Sequence, residues 1–203
     1  SVWLKILLTK GALVGATSLL AFVFIFTNLR FAVRATPVMD IFESFESQDP
    51  LSRFRAWTNE RFSRYRLLGS IGLSLFLGAG ASQLWEQVLL FLNQHNFGVT
   101  DPVFQADVSR YVFGLPLYRL FVSWGFQLVI FTSLIILLFF VATGALQIRQ
   151  GRLPEVSSGA KAHLSVLLAF IAILKAFAYR LDSMELLYSP SCLLYTSDAA
   201  DEI

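Results

Sequence analysis

"LFVSWGFQLVIFTSLIILLFFVATGALQI", Leu120 to Ile148, is twenty-nine residues without a charged side chain. As a helix rising about 1.5 Å per residue it is about 43 Å long, against about 30 Å for the hydrocarbon core of a bilayer. It predicts a transmembrane helix that tilts or projects into a headgroup layer. Three further blocks repeat the pattern. Gly11 to Leu29 and Leu67 to Trp85 are each nineteen residues without a charge. Ala162 to Leu174 gives thirteen, and a full span there must carry Lys175 through to Leu181. The sequence therefore predicts an all-α polytopic transmembrane protein with four spans, about 5–29, 67–92, 117–148 and 162–181, and short amphipathic surface helices.

Composition agrees. The 203 residues are 56% hydrophobic and 15% charged, with twenty phenylalanines and a mean hydropathy of +0.63. A soluble chain of this length has no core large enough to hide four such blocks. A cleaved signal peptide is a poor reading of the first block, whose apolar part is too long for an h-region.

Seven arginines lie between Arg30 and Arg66, and Arg149, Arg152 and Lys161 follow the third block. The positive-inside bias puts both connectors in the cytoplasm and the stretch 93–116 outside. In "RFRAWTNERFSRYR", Arg53 to Arg66, aromatic residues interleave with arginines as in a membrane-surface helix. The neighbouring acidic residues argue against a nucleic-acid patch. The expected partners are the bilayer and neighbouring transmembrane helices, with no nucleic acid and no cofactor.

The outer stretch carries start and stop signals. Asp101 followed by Pro102 reads as a helix N-terminus, and Gly114 followed by Pro116 as its end. Phe104, Val108, Tyr111, Val112 and Leu115 share one arc of a wheel, with Gln105, Ala106, Ser109 and Arg110 roughly opposite. This predicts a short amphipathic helix on the outer surface, preceded by a turn in which Gly98 takes a positive φ. Asp101 and Asp107 as an acid/base or metal pair is the weaker reading, because six-residue spacing splits them between helix faces and no histidine or glutamate cluster accompanies them.

Inside the blocks, Glu86 and Lys175 are expected at similar depth, where pairing offsets the cost of a charge in hydrocarbon; separate snorkelling to the interface is the alternative. His163, at the start of the fourth span, is a proton-relay candidate or simply interfacial. Ser70, Ser74, Gly78 and Ser82 recur every fourth residue, and Gly11 and Gly15 repeat the spacing; both stripes predict close helix packing.

The end of the chain differs in character. "CLLYTSDAADE", Cys192 to Glu202, back-translates to a string resembling a transposase-based sequencing adapter. Setting Asp198, Asp201 and Glu202 aside leaves sixteen basic against eleven acidic residues, a net of +5, and removes the single cysteine. No disulfide framework or cysteine-based metal site is then expected.

"LWEQVLLFLNQHNFGVTDPVFQADVSRYVFGLPLYR" and "AKAHLSVLLAFIAILKAFAYRLDSMELLYS" resemble uncharacterised protein family 0182, bacterial multi-pass membrane proteins. The specific block is Phe97, Gly98, Val99, Asp101, Pro102, Phe104 and Asp107, followed by Tyr111, Val112, Phe113, Leu115 and Pro116. Ser109-Arg110 and Ser183-Met184 depart from the family's usual residues without breaking the match. The resemblance implies a larger set of about seven spans ahead of a long extracytoplasmic region, with this chain running from the second span to just past the fifth. It implies no reaction, ligand or catalytic residue. The expected role is a membrane anchor or scaffold for that extracytoplasmic domain. The rivals are a transporter or channel component using Glu86, Gln127 and Lys175, and a membrane enzyme using Asp101, Asp107 or Arg110.

Overall fold

The computed structural model describes residues 2–36, 66–101, 104–143, 145–147 and 155–186. Four helices dominate: α1 (Val2–Ala35), α2 (Arg66–Leu92), α3 (Arg110–Thr143) and α4 (Ser158–Glu185), each long and apolar enough to cross a membrane. The architecture is all-α apart from a minimal ribbon, in which β1 (Leu146–Gln147) pairs antiparallel with β2 (Glu155–Val156). The surface helix expected within 53–66 and the tail 192–202 lie outside the described residues, Arg66 apart.

The helix bounds differ from those read from uncharged runs, because helices do not stop where hydrocarbon would. α1 continues through Arg30 and Arg34 to Ala35. Its 34 residues make it about 51 Å long. α3 starts earlier than residue 117 and ends at Thr143; residues 145–147 turn into the ribbon instead of prolonging the span to 148. α4 begins at Ser158 because the Ser157 side chain accepts from the Ala160 amide at 3.3 Å, an N-cap that fixes the start.

Two apolar clusters hold the bundle. In the first, Ala21, Ile25 and Leu29 of α1 meet Leu77 of α2 and Leu128 of α3. The second, at the end that carries the ribbon, joins Ala32, Ile136, Phe140, Ala145, Ala160 and Leu167. Small residues set the closest approaches. A Cβ on Gly78 would fall onto the Ser18 hydroxyl, and one on Gly159 would lie 2.5 Å from the Ala35 carbonyl oxygen. Ser70 and Ser74, on the Gly78 stripe, are buried and donate to carbonyls of their own helix. Gly11 and Gly15 behave otherwise: nothing lies within 4 Å of a Cβ added at either, so their stripe packs against no described helix. Large apolar side chains such as Leu20, Phe76, Leu138 and Leu168 stay more than 60% exposed, a surface suited to lipid and costly in water.

Candidate functional site

Opposite the ribbon lies the loop that joins α2 to α3. It is a stapled turn and not a surface helix. Gly98 takes φ +72°, Thr100 and Asp107 form an antiparallel bridge, and the Val108 amide donates to the Val99 carbonyl at 3.0 Å. Asp101 and Ala106 close the tip: the Asp101 amide donates to the Ala106 carbonyl, and the Gln105 amide to the Asp101 carbonyl. Gln105 adopts φ +52° to make this turn, which a non-glycine residue does only when its surroundings hold it there.

Both aspartates are consumed as hydrogen-bond acceptors, but their roles differ from those read from sequence. Asp101 does not start a helix. Its carboxylate accepts from the Phe104 amide at 2.7 Å and from the Tyr111 hydroxyl at 3.3 Å, an Asx-type turn tied to the following helix. Asp107 is the residue at the helix entrance, accepting from the Ser109 amide at 2.9 Å and reaching back to the amides of Phe97 and Gly98 at 3.1 and 2.9 Å. The Ser109 hydroxyl and then the Ser109 amide, helped to a smaller degree by the amides of Phe97 and Gly98, hold its carboxyl at about 2, against an opposing desolvation that is weaker than either Ser109 contribution. Asp107 spends both oxygens and Asp101 one of its two on these structural bonds, which weakens the acid/base and metal readings of the pair. Among the described residues no three His, Cys, Asp or Glu side chains converge.

Gly114 and Pro116 do not end a helix. Residues Arg110–Gly114 form a π-helical turn in which the Leu115 amide donates to the Arg110 carbonyl, and α3 continues through the proline. Proline supplies no donor and crowds the preceding turn of an α-helix; the widened turn accommodates it without a break. Gly114 is buried there, with Tyr118, Arg110 and Phe91 within 4 Å of a would-be Cβ. Phe113 packs on Phe97 at a centroid distance of 5.8 Å, which ties the loop's first residues to the widened turn. Ser109, assigned from sequence to the polar outer face, is 3% exposed because this turn points it inward.

The charges also arrange themselves differently. Glu86 and Lys175 do not pair: both are exposed, and the Lys175 ammonium sits 4.6 Å from the ring centroid of Tyr179 on its own helix. Their helices turn those positions away from each other, which depth alone does not settle. The ion pairs among the described residues belong instead to Arg119, whose guanidinium meets Asp182 at 2.7 Å and also Glu185. The sequence signal for this was Asp182 and Glu185 at i and i+3, one face of α4. His163 donates from Nε2 to Asn28 Oδ1 at 3.1 Å, since the Asn28 amide nitrogen already donates to the Phe24 carbonyl. Its ring also meets Phe140 of α3 edge-on, so His163 is an interhelical contact that ties α4 to both α1 and α3.

The model of the Uncharacterised protein family (UPF0182) matches residues 1–199. The chain belongs to this family. A UPF0182 protein of Mycobacterium bovis is 35% identical over 193 residues, covering 93% of this chain and 19% of the relative. A Mycobacterium leprae relative is 34% identical over 190 residues, covering 92% and 19%, and one from Salinispora tropica is 33% identical over 203 residues, covering 99% and 20%. The chain thus spans about a fifth of the length of the curated relatives it matches. No solved structure matches. The UPF0182 match extends into 192–199, the first part of the stretch that reads as adapter.

Proposed function

We propose that this part of the UPF0182 chain is a membrane anchor and scaffold, crossing the bacterial plasma membrane four times and presenting the α2–α3 loop on the extracytoplasmic side. The observation that carries the reading is the stapled loop. Its aspartates hold the backbone in one shape while Phe97, Val99 and Phe104 remain 50, 61 and 43% exposed on its surface. A fixed platform with apolar side chains is what a seat for a further part of a longer protein requires. The relatives' length supplies such parts. The last turn of α1 and the ribbon lie at the opposite end, the side to which the positive-inside bias assigns the cytoplasm.

A transporter or channel component gains less support. Glu86, Gln127 and Lys175 are exposed on the outside of the bundle, and the buried polar side chains among the described residues are the short hydroxyls of Thr17, Ser18, Ser70, Ser74, Ser109 and Thr132. A membrane enzyme gains less support too, since Asp107 in the loop spends both oxygens, and Asp101 one, on holding the backbone and Tyr111.

The test is a photo-crosslinking residue at Gln105, exposed at the loop tip, in a full-length family member. Capture of the protein's own extracytoplasmic region is expected. A probe at Gln105 that reacts only with cytoplasmic reagents, or that captures nothing of the chain, removes the reading.

A further inference from the structure

At the loop end a cavity of about 650 Å³ opens between the last turn of α2, the loop, the start of α3 and the end of α4. That volume suits a small ligand or part of a lipid. Its walls are aromatic and apolar, with Phe91, Tyr118, Phe121 and Phe177, and its charged lining residues are Arg110 and Arg180. Both arginines are exposed, and neither has an ion-pair partner among the described residues. No nearby carboxylate forms an ion pair with either of them. Asp101 and Asp107 accept from the backbone and Tyr111, while Asp182 and Glu185 face Arg119. The cavity therefore carries two guanidinium groups without ion-pair partners among the described residues, beside an aromatic wall. Sequence register aligns the two features. Arg180 follows Phe177 by one turn of α4, and on α3 Arg110 and Phe121 line the same cavity, so each arginine stands with a wall residue of its own helix.

We propose that this cavity binds an anionic glycerophospholipid, with the phosphate between Arg110 and Arg180 and an acyl chain along Phe121 and Phe177. Guanidinium is the side chain best matched to phosphate oxygens, and a ligand that is both anionic and apolar uses both halves of the site. The inference rests on the helices crossing a bilayer. Flotation of the wild-type chain with vesicles tests that premise separately.

The experiment is native mass spectrometry of the full chain in detergent, titrated with palmitoyl-oleoyl phosphatidylglycerol and, in parallel, with the matching phosphatidylcholine. Wild type should retain phosphatidylglycerol in preference. R110A/R180A should lose at least about tenfold in retention, as expected when two charge-assisted contacts go. R110K/R180K should fall between, because lysine keeps the charge and loses the fork. K5A/K10A removes two positive charges elsewhere and should bind as wild type. Equal loss in K5A/K10A would reduce the effect to net charge and overturn the proposal, as would undiminished retention in R110A/R180A. Inorganic phosphate that binds wild type and displaces the lipid at equal concentration would overturn it in favour of a soluble anion. Should R110A/R180A fail to elute as wild type, the lysine pair decides: retention equal to wild type overturns the site.

Discussion

The two ends of the bundle are held by different physics. At the ribbon end, Ala32, Ile136, Phe140, Ala160 and Leu167 form a packed apolar cluster, and Gly159 brings α4 against the backbone of Ala35. At the loop end the fastenings are polar: Asp101 and Asp107 against backbone amides, and Arg119 against two carboxylates. In a lipid environment apolar contact between helices gains little over contact with acyl chains, so close packing and backbone approach must hold the first end. At the second end the charged side chains are exposed, so charge can serve there. Substitutions that damage packing should therefore be costlier than those that remove a charge.

The largest effect is expected at Gly159. Valine there places a Cβ 2.5 Å from the Ala35 carbonyl oxygen and 3.1 Å from its Cα, and backbone cannot swing aside as a side chain can. G159V should destabilise the fold by roughly 3 kcal/mol, the upper part of the usual overpacking range. Thermal unfolding in detergent checks this. A G159V protein as stable as wild type would mean that α1 and α4 do not meet at their ribbon-side ends.

Next comes Asp107. Asparagine keeps the shape and removes the charge that three amides share, so D107N should speed hydrogen exchange at Phe97 and Gly98 while leaving α3 and α4 protected. The pH dependence has a definite sign. The folded carboxyl is held at about 2 against an ordinary 3.8, so its contribution to the loop is complete above about 3.8 and is lost as pH falls towards 2. The Gly98 amide resonance should titrate with a midpoint near 2. A midpoint near 3.8 would show that the staple is open.

Much of this contrast could be read in the chain before the structure, and the unread part has a common cause. Uncharged runs mark the four helices because length and hydropathy are properties of a segment alone. Which of two aspartates sits at the α3 entrance is not, since Asp107 is selected by the amides of Phe97 and Gly98, ten and nine residues away, and by Ser109. Gly114 and Pro116 signal a stop in any α-helix; a π turn, invisible in residue types, carries the helix past them. Glu86 and Lys175 fail to meet for a similar reason. Helices apolar almost all round reveal their rotation poorly, so shared depth does not imply a shared face. Arg119 and its partners on α4 lie 63 and 66 residues apart, and only the packing of α3 on α4 joins them.

Arg119 provides a smaller effect at the loop end. Its side chain is 44% exposed and its partners 45 and 56%, so R119A should cost only about 0.5 kcal/mol at low salt and less at high salt. Comparing melting temperatures at the two salt concentrations checks it. A salt-independent loss of several degrees would mean that the charges are shielded from water and that the loop end resembles the ribbon end more than its exposure indicates.

The smallest effect is expected from a pair of glycines that sequence alone cannot tell from their counterparts. Gly11 and Gly15 repeat at the same four-residue interval as Ser74 and Gly78. Yet a Cβ on Gly78 collides with the Ser18 hydroxyl and lies 2.9 Å from the Ser18 amide nitrogen, whereas nothing comes within 4 Å of one on Gly11 or Gly15. G78A should therefore destabilise the α1–α2 contact by about 1–3 kcal/mol. G11L/G15L should leave the melting temperature of this chain unchanged or slightly raise it, since leucine is the better helix former. If the same double substitution lowers the stability of a full-length family member and not of this chain, the face of α1 that carries both glycines is a packing surface for helices supplied by the rest of the protein. If it lowers neither, that face meets lipid, and the four-residue spacing of small residues marks close helix approach in this fold only where a serine or a backbone stands opposite.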